Sequence, residues 1–209
     1  MQSWLIQLLH TPKRRKIVTF ALLSTFSLTI LVFIAATKVP SPDESAIKNV
    51  CFSALVADQT LGVPHTAGMT TLKSDSIVTT DSGVITDAVV QEMVARVGSE
   101  YPKYYSGSML QNKIQIMQNS ILGSTGSSVR HLAGGVQNMS FSTINITGTI
   151  ATVEAQATVW VTVAQDQGNG HLVPATPHNT LNIKYSLSKI GGLWLITNQT
   201  WKFAPGSEP

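Results

Sequence analysis

Residues 17–37, IVTFALLSTFSLTILVFIAAT, are 21 consecutive positions without a charge, closed off by Lys16 and Lys38. At about 1.5 Å of rise per residue, a helix of this length matches the roughly 30 Å hydrocarbon core of a bilayer, so one membrane-spanning helix is predicted. Ser24, Thr25 and Ser27 can return their hydroxyls to the helix's own carbonyls, which weakens insertion without preventing it. Lys13, Arg14, Arg15 and Lys16 crowd the N-terminal flank, whereas Lys38 and Lys48 follow more sparsely. The positive-inside rule then makes residues 1–16 a basic cytoplasmic tail and places the C-terminal part outside the cytoplasmic membrane. A cleaved signal peptide, with Ile34 and Ala36 at the small-residue positions, is the rival. Its apolar stretch would normally run only about 7–15 residues, so a retained signal-anchor is expected.

The formal net charge of +3 belongs to that flank: from Lys38 onward, ten basic residues meet eleven acidic ones. No electrostatic footprint for nucleic acid is left in the bulk of the chain. The lone Cys51 rules out an intramolecular disulfide framework. The expected partners are the bilayer, through residues 17–37, other envelope proteins, and a further copy of the chain.

Residues 38–42 are the predicted linker and 43–204 one extracytoplasmic domain, followed by a flexible tail at 205–209. Ser41, Pro42, Asp43 and Glu44 form a helix-start signal. Ala46, Ile47, Val50, Cys51, Ala54 and Leu55 then give an apolar stripe on a helix running to about Gln59. Residues 61–84 carry little sustained period and read as a loop or a weak strand pair. A second helix is predicted from about Thr86, with Val89, Val90, Met93, Val94 and Val97 on its stripe. A third covers 101–122, with Met109, Leu110, Ile114, Met117 and Ile121 at helical spacing and Pro102 in its first turn. The glycine–serine tract at 123–128 closes the helical half.

From Val136 the period changes to two. A strand is predicted over 136–146. A long one follows over 151–165, with Ala151, Val153, Ala155, Ala157, Val159, Val161 and Val163 on one face and polar residues on the other. Residues 179–189 alternate again, and Gly191 and Gly192 turn the chain into a last strand over 193–203. The predicted fold class is therefore α+β: a transmembrane helix, then helices packed on a curved four-stranded antiparallel sheet.

The closing stretch, Asn179-Thr180-Leu181-Asn182-Ile183-Lys184-Tyr185-Ser186-Leu187-Ser188-Lys189-Ile190-Gly191-Gly192-Leu193-Trp194-Leu195-Ile196, resembles the final hairpin of the nuclear transport factor 2-like superfamily. That resemblance implies a cone in which the sheet wraps around the helices. With a basic tail and a single span in front, the outline is similar to the bitopic assembly proteins of type IV secretion and conjugation systems. It is equally similar to the mammalian-cell-entry-associated membrane proteins. Both likenesses imply a non-catalytic part that works through protein contacts.

The motifs of enzyme chemistry are missing. HExxH, CxxC, GxSxG and GxGxxG are absent, and the 123–128 tract has no phosphate-loop lysine. Glu154 falls on the polar face of its strand, a dyad of Asp58 with His65 rests on proximity in sequence alone, and His171 and His178 lack metal-ligand spacing. No catalysis, cofactor or metal is therefore expected. Trp160, which parity places on a threonine-rich face, is the candidate partner contact. The alternative function is an envelope-facing binder of a small apolar ligand or lipid, its pocket lined by Val159, Val161, Tyr185, Leu187, Trp194 and Trp201.

Overall fold

The computed structural model describes residues 41–64, 87–124, 129–166 and 172–208. The predicted tail, the membrane span, most of the linker, most of the 61–84 segment, His65 and His171 lie outside the described residues. Among the described residues, no helix is long and apolar enough to cross a membrane.

Helix α1, Pro42–Thr60, starts directly after Ser41, with Pro42 where its missing N–H costs nothing and Asp43 and Glu44 against the positive end of the helix dipole. It buries Ile47, Cys51, Ala54, Leu55 and Ala57, whereas Ala46, expected on the stripe, is exposed. Helix α2, Asp87–Glu100, buries Val90, Met93 and Val97. The single helix expected over 101–122 is two elements, a 3-10 turn at Tyr101–Lys103 and helix α3, Gly107–Ser124. The break has a physical cause. The Ser106 N–H donates to the Ile196 carbonyl at 3.0 Å and the Ile196 N–H to the Tyr104 carbonyl at 2.8 Å, which draws this stretch onto the sheet edge. Gly107 then re-enters helix at φ +61°, a conformation that favours glycine.

The sheet has one more strand than expected: β1 Val129–Thr147, β2 Ile150–Asp166, β3 Leu172–Ala175, β4 His178–Ile190 and β5 Leu193–Phe203. The antiparallel order is β1-β2-β4-β5, with short β3 pairing the far end of β2. Strand β1 starts at Val129 rather than Val136. Its period was hidden by three irregularities, at which Leu132, Gln137 and Ser142 fall out of register with β2. Each such bulge adds local twist and bends the strand, and together they curve the sheet around the helices. Strand β2 follows the expected parity as far as Val159: Ala151, Val153, Ala155, Ala157 and Val159 are buried, and Thr152, Glu154 and Gln156 are exposed, but beyond it Val161 and Val163 are only half-buried and Ala164 is buried instead.

Three tyrosines, Tyr101, Tyr105 and Tyr185, are the bulkiest fully buried side chains, and Ile47, Ile183, Leu187 and Ile196 pack with them. Tyr101 and Tyr105 meet edge to face at 5.4 Å between ring centres. At the C-terminus, where a flexible tail was expected, Pro205 and Gly206 turn the chain back, and the Ser207 hydroxyl accepts from the Thr180 N–H.

Cys51 is fully buried, and burial pushes its thiol up to about 12. At pH 8 it should therefore resist a thiol-specific disulfide reagent in the native chain and react fully once guanidinium unfolds it. Immediate stoichiometric reaction of the native chain would contradict this packing.

Candidate functional site

The last turn of α1 crosses β1 at Gly134. A Cβ there would stand 2.3 Å from the Gln59 carbonyl oxygen, so a residue without a side chain is what lets the helix end sit on the sheet. This contact sets Asp58 and Gln59 at the rim of the concave face. Beside them opens a cleft of about 280 Å³, with Leu55, Val159, Leu181 and Ile183 on its floor and Ile116, Trp201 and Phe203 along its mouth.

A polar cluster closes one wall. Lys113 of α3 lies 2.5 Å from Asp58 Oδ2, with both side chains more than four-fifths buried. The Tyr105 hydroxyl stands 3.0 Å from the same oxygen and 2.9 Å from Gln199 Oε1, bridging α1 to β5. Burial, and after it the charge of Asp58, pushes the Tyr101 and Tyr105 phenols well up, so both stay protonated and act as donors. Asp58 Oδ1 makes no hydrogen bond among the described residues. The carboxylate is held by a lysine and a phenol, an arrangement that locks three elements together at the cleft.

Trp201 is 55% exposed and packs edge to face against Phe203 at 5.3 Å, next to Ile116, which is 68% exposed. The β4–β5 ladder explains its position. A register shift after Ser186 leaves Thr197 out of the strand pairing, so inward parity passes from Trp194 and Ile196 to Gln199, Trp201 and Phe203. Trp194 and Trp201 thus face the same side although their parities differ, and only Trp201 lies beyond the cover of the helices.

The residues expected to line one pocket are therefore divided. Val159 and Trp201 reach this cleft, and Val161 lines a neighbouring hollow of about 220 Å³ with His131, Met93 and Ile121. Tyr185, Leu187 and Trp194 are packed in the core, at 2%, 0% and 4% exposure. Trp160, expected to stand free, is half-buried with its ring against Gly135, where a Cβ would come within 3.0 Å of it. Glu154 is half exposed and pairs with Lys184 across the strands at 2.7 Å. Among the described residues, no three His, Cys, Asp or Glu side chains gather as metal ligands.

A search of the sequence for inward carboxylates on strands does not find this cluster, because its carboxylate is on a helix. Asp58 was legible by another route. It lies three and four residues after Leu55 and Ala54, on the apolar stripe of α1, and Lys113 lies four after Met109 on the stripe of α3. Two opposite charges on two apolar stripes are the signal for a buried pair.

No family model and no curated protein matches the chain. Among solved structures, it is similar to the intermembrane-space region of the chloroplast protein ARC6, with a TM-score of 0.40 and 16% identity over 53% of this chain and 78% of that one. It is also similar to a protein of unknown function with a cystatin-like fold from Nostoc punctiforme, with a TM-score of 0.28 and 16% identity over 56% of this chain and 84% of that one.

Proposed function

We propose that this chain is a single-pass membrane protein of the nuclear transport factor 2-like kind, whose folded domain acts outside the cytoplasmic membrane by binding other envelope proteins and not by catalysis. The machinery it joins would be a secretion, conjugation or import assembly. The observation that carries this reading is Trp201, a large aromatic side chain left more than half exposed at the mouth of a small apolar cleft. Tryptophans in such positions supply much of the binding energy at protein interfaces, and Phe203 and Ile116 extend the anchor. The polar wall of Lys113, Asp58 and Tyr105 gives that anchor a rigid backing.

The alternative, a small apolar ligand held inside the cone, loses ground to the packing. The interior beneath Tyr185 and Leu187 is filled by side chains, and the cleft beside Trp201, about 280 Å³, is at the small end for a ligand pocket, whose usual volume is about 300–1,000 Å³.

The test is a photo-crosslinking amino acid placed at position 201 of the full chain in its native membranes, with position 49, exposed on α1 and outside the cleft, as the reference. Covalent adducts of polypeptide mass at 201, and few at 49, are the expected result. Equal crosslinking at both positions, or none at 201, would remove Trp201 as the contact.

A further inference from the structure

Four of the large apolar side chains left exposed lie together at the end of the sheet away from the cleft. Ile146 and Ile150 flank the β1–β2 turn, at 37% and 58% exposure, and Ile190 and Leu193 flank the β4–β5 turn, at 48% and 68%. The two hairpin tips are tied side by side, since the Lys189 N–H donates to the Thr149 carbonyl at 2.8 Å and Ile150 pairs with Ser188. Glycines with positive φ make both turns tight: Gly148 at +59° in the first, Gly191 at +58° and Gly192 at +85° in the second. Residues 146–150 and 190–193 contain no charged side chain. An apolar, uncharged end of this kind on a polar domain marks a surface that meets something apolar.

The start of α1 identifies what it meets. Asp43 Oδ1 accepts from Lys189 Nζ at 2.6 Å and from Trp194 Nε1 at 2.9 Å, which pins the first turn of α1 to the base of the β4–β5 tip. The chain therefore enters the domain at this end. Four residues separate the end of the apolar run 17–37 from Pro42, a reach of at most about 18 Å. Whatever bilayer that run crosses lies within reach of the tips. Helix α1 then carries the chain away for about 28 Å to the cleft at its other end.

We propose that the paired tips, with Ile146, Ile150, Ile190 and Leu193, form a foot that rests in the interfacial layer of the bilayer and holds the cleft of Trp201 away from it. The occupant is the lipid surface itself. Isoleucine and leucine side chains enter the headgroup–acyl boundary readily, and the uncharged turns bring no ion to be desolvated. The inference rests on the membrane-anchored reading, and its test separates the two.

Full-length chains carrying Leu193→Cys or Lys202→Cys are spin-labelled and reconstituted into phosphatidylcholine–phosphatidylglycerol nanodiscs, and a parallel sample is extracted with carbonate. The unsubstituted chain, with its buried Cys51, supplies the labelling blank. Both substituted positions are exposed, so the variants fold. The label at 193 is expected to collide several-fold more with lipid-dissolved oxygen, relative to a water-soluble nickel chelate, than the label at 202, in a chain that resists carbonate. A carbonate-resistant chain whose two labels are equally accessible to the chelate would overturn the foot and leave the anchor standing. Shielding of the 193 label from oxygen and chelate alike would overturn it in favour of a protein partner. Release of the chain by carbonate would overturn the anchor, and the foot with it.

Discussion

Replacing Lys113 by methionine is expected to lower the stability of the domain by about 2–4 kcal/mol, somewhat less than the roughly 3–5 kcal/mol for breaking a fully buried pair because both partners retain some contact with water. The loss arises less from the attraction removed than from what remains, a carboxylate enclosed by Leu55, Tyr101 and Tyr105 with no cation beside it. Asp58→Asn in the same chain should recover most of it, since the neutral amide can still accept from Tyr105. Denaturant unfolding of the two single variants and the double variant, compared at an unchanged m-value, measures the coupling. Losses that simply add would show that the pair is not a unit, and the cleft wall would then lack its lock.

The second large effect is expected at Gly134. An alanine there places its Cβ 2.3 Å from the Gln59 carbonyl oxygen, and neither backbone can yield without lifting the end of α1 off the sheet. Overpacking of this kind costs about 1–3 kcal/mol, and each kilocalorie lowers the melting temperature of a domain this size by about 2–4 °C. The neighbouring Gly135→Ala meets only the Trp160 ring, which can swing away, so it should cost less and be relieved when Trp160 is shortened to alanine. Scanning calorimetry on the three variants separates these cases. A Gly134→Ala chain melting with the parent would mean that α1 does not end where Asp58 can line the cleft.

Much of this architecture was legible where the pattern was unbroken. The alternation on β2 from Ala151 to Val159 and the stripe from Ile47 to Leu55 each read directly as a buried face, because one face of each element packs against the other layer. Legibility failed where the chain departs from its period. The register shifts of β1 hid its first seven residues, and the one at Thr197 put Trp194 and Trp201 on the same side of β5 in spite of their opposite parities. The interruption at Tyr104–Ser106 depends on Ile196, some ninety residues away, which no local pattern contains. The core filling was legible only in part. Trp194 is buried with Tyr101, Tyr105 and Tyr185, and Tyr101 and Tyr105, which no predicted stripe included, lie one helical turn apart at the broken helix start. The candidate site was the least legible part, since it joins the end of one helix, the middle of another and the uncovered end of a strand.

These parts divide the domain by its ends. Where the chain enters, Asp43 is hydrogen-bonded to Lys189 and Trp194, which hold its carboxyl below the usual range, so this clasp stays formed at neutral pH and is lost only as acid protonates it. At the other end, a fixed polar wall supports an exposed tryptophan. Native mass spectrometry of the full chain, purified from the cells that make it, tests most directly whether the domain works by touching a partner. Added mass made of polypeptide, as a partner or a second copy, that disappears with Trp201→Ala is the expected result. A monomer that keeps a stoichiometric small molecule through extraction would contradict it.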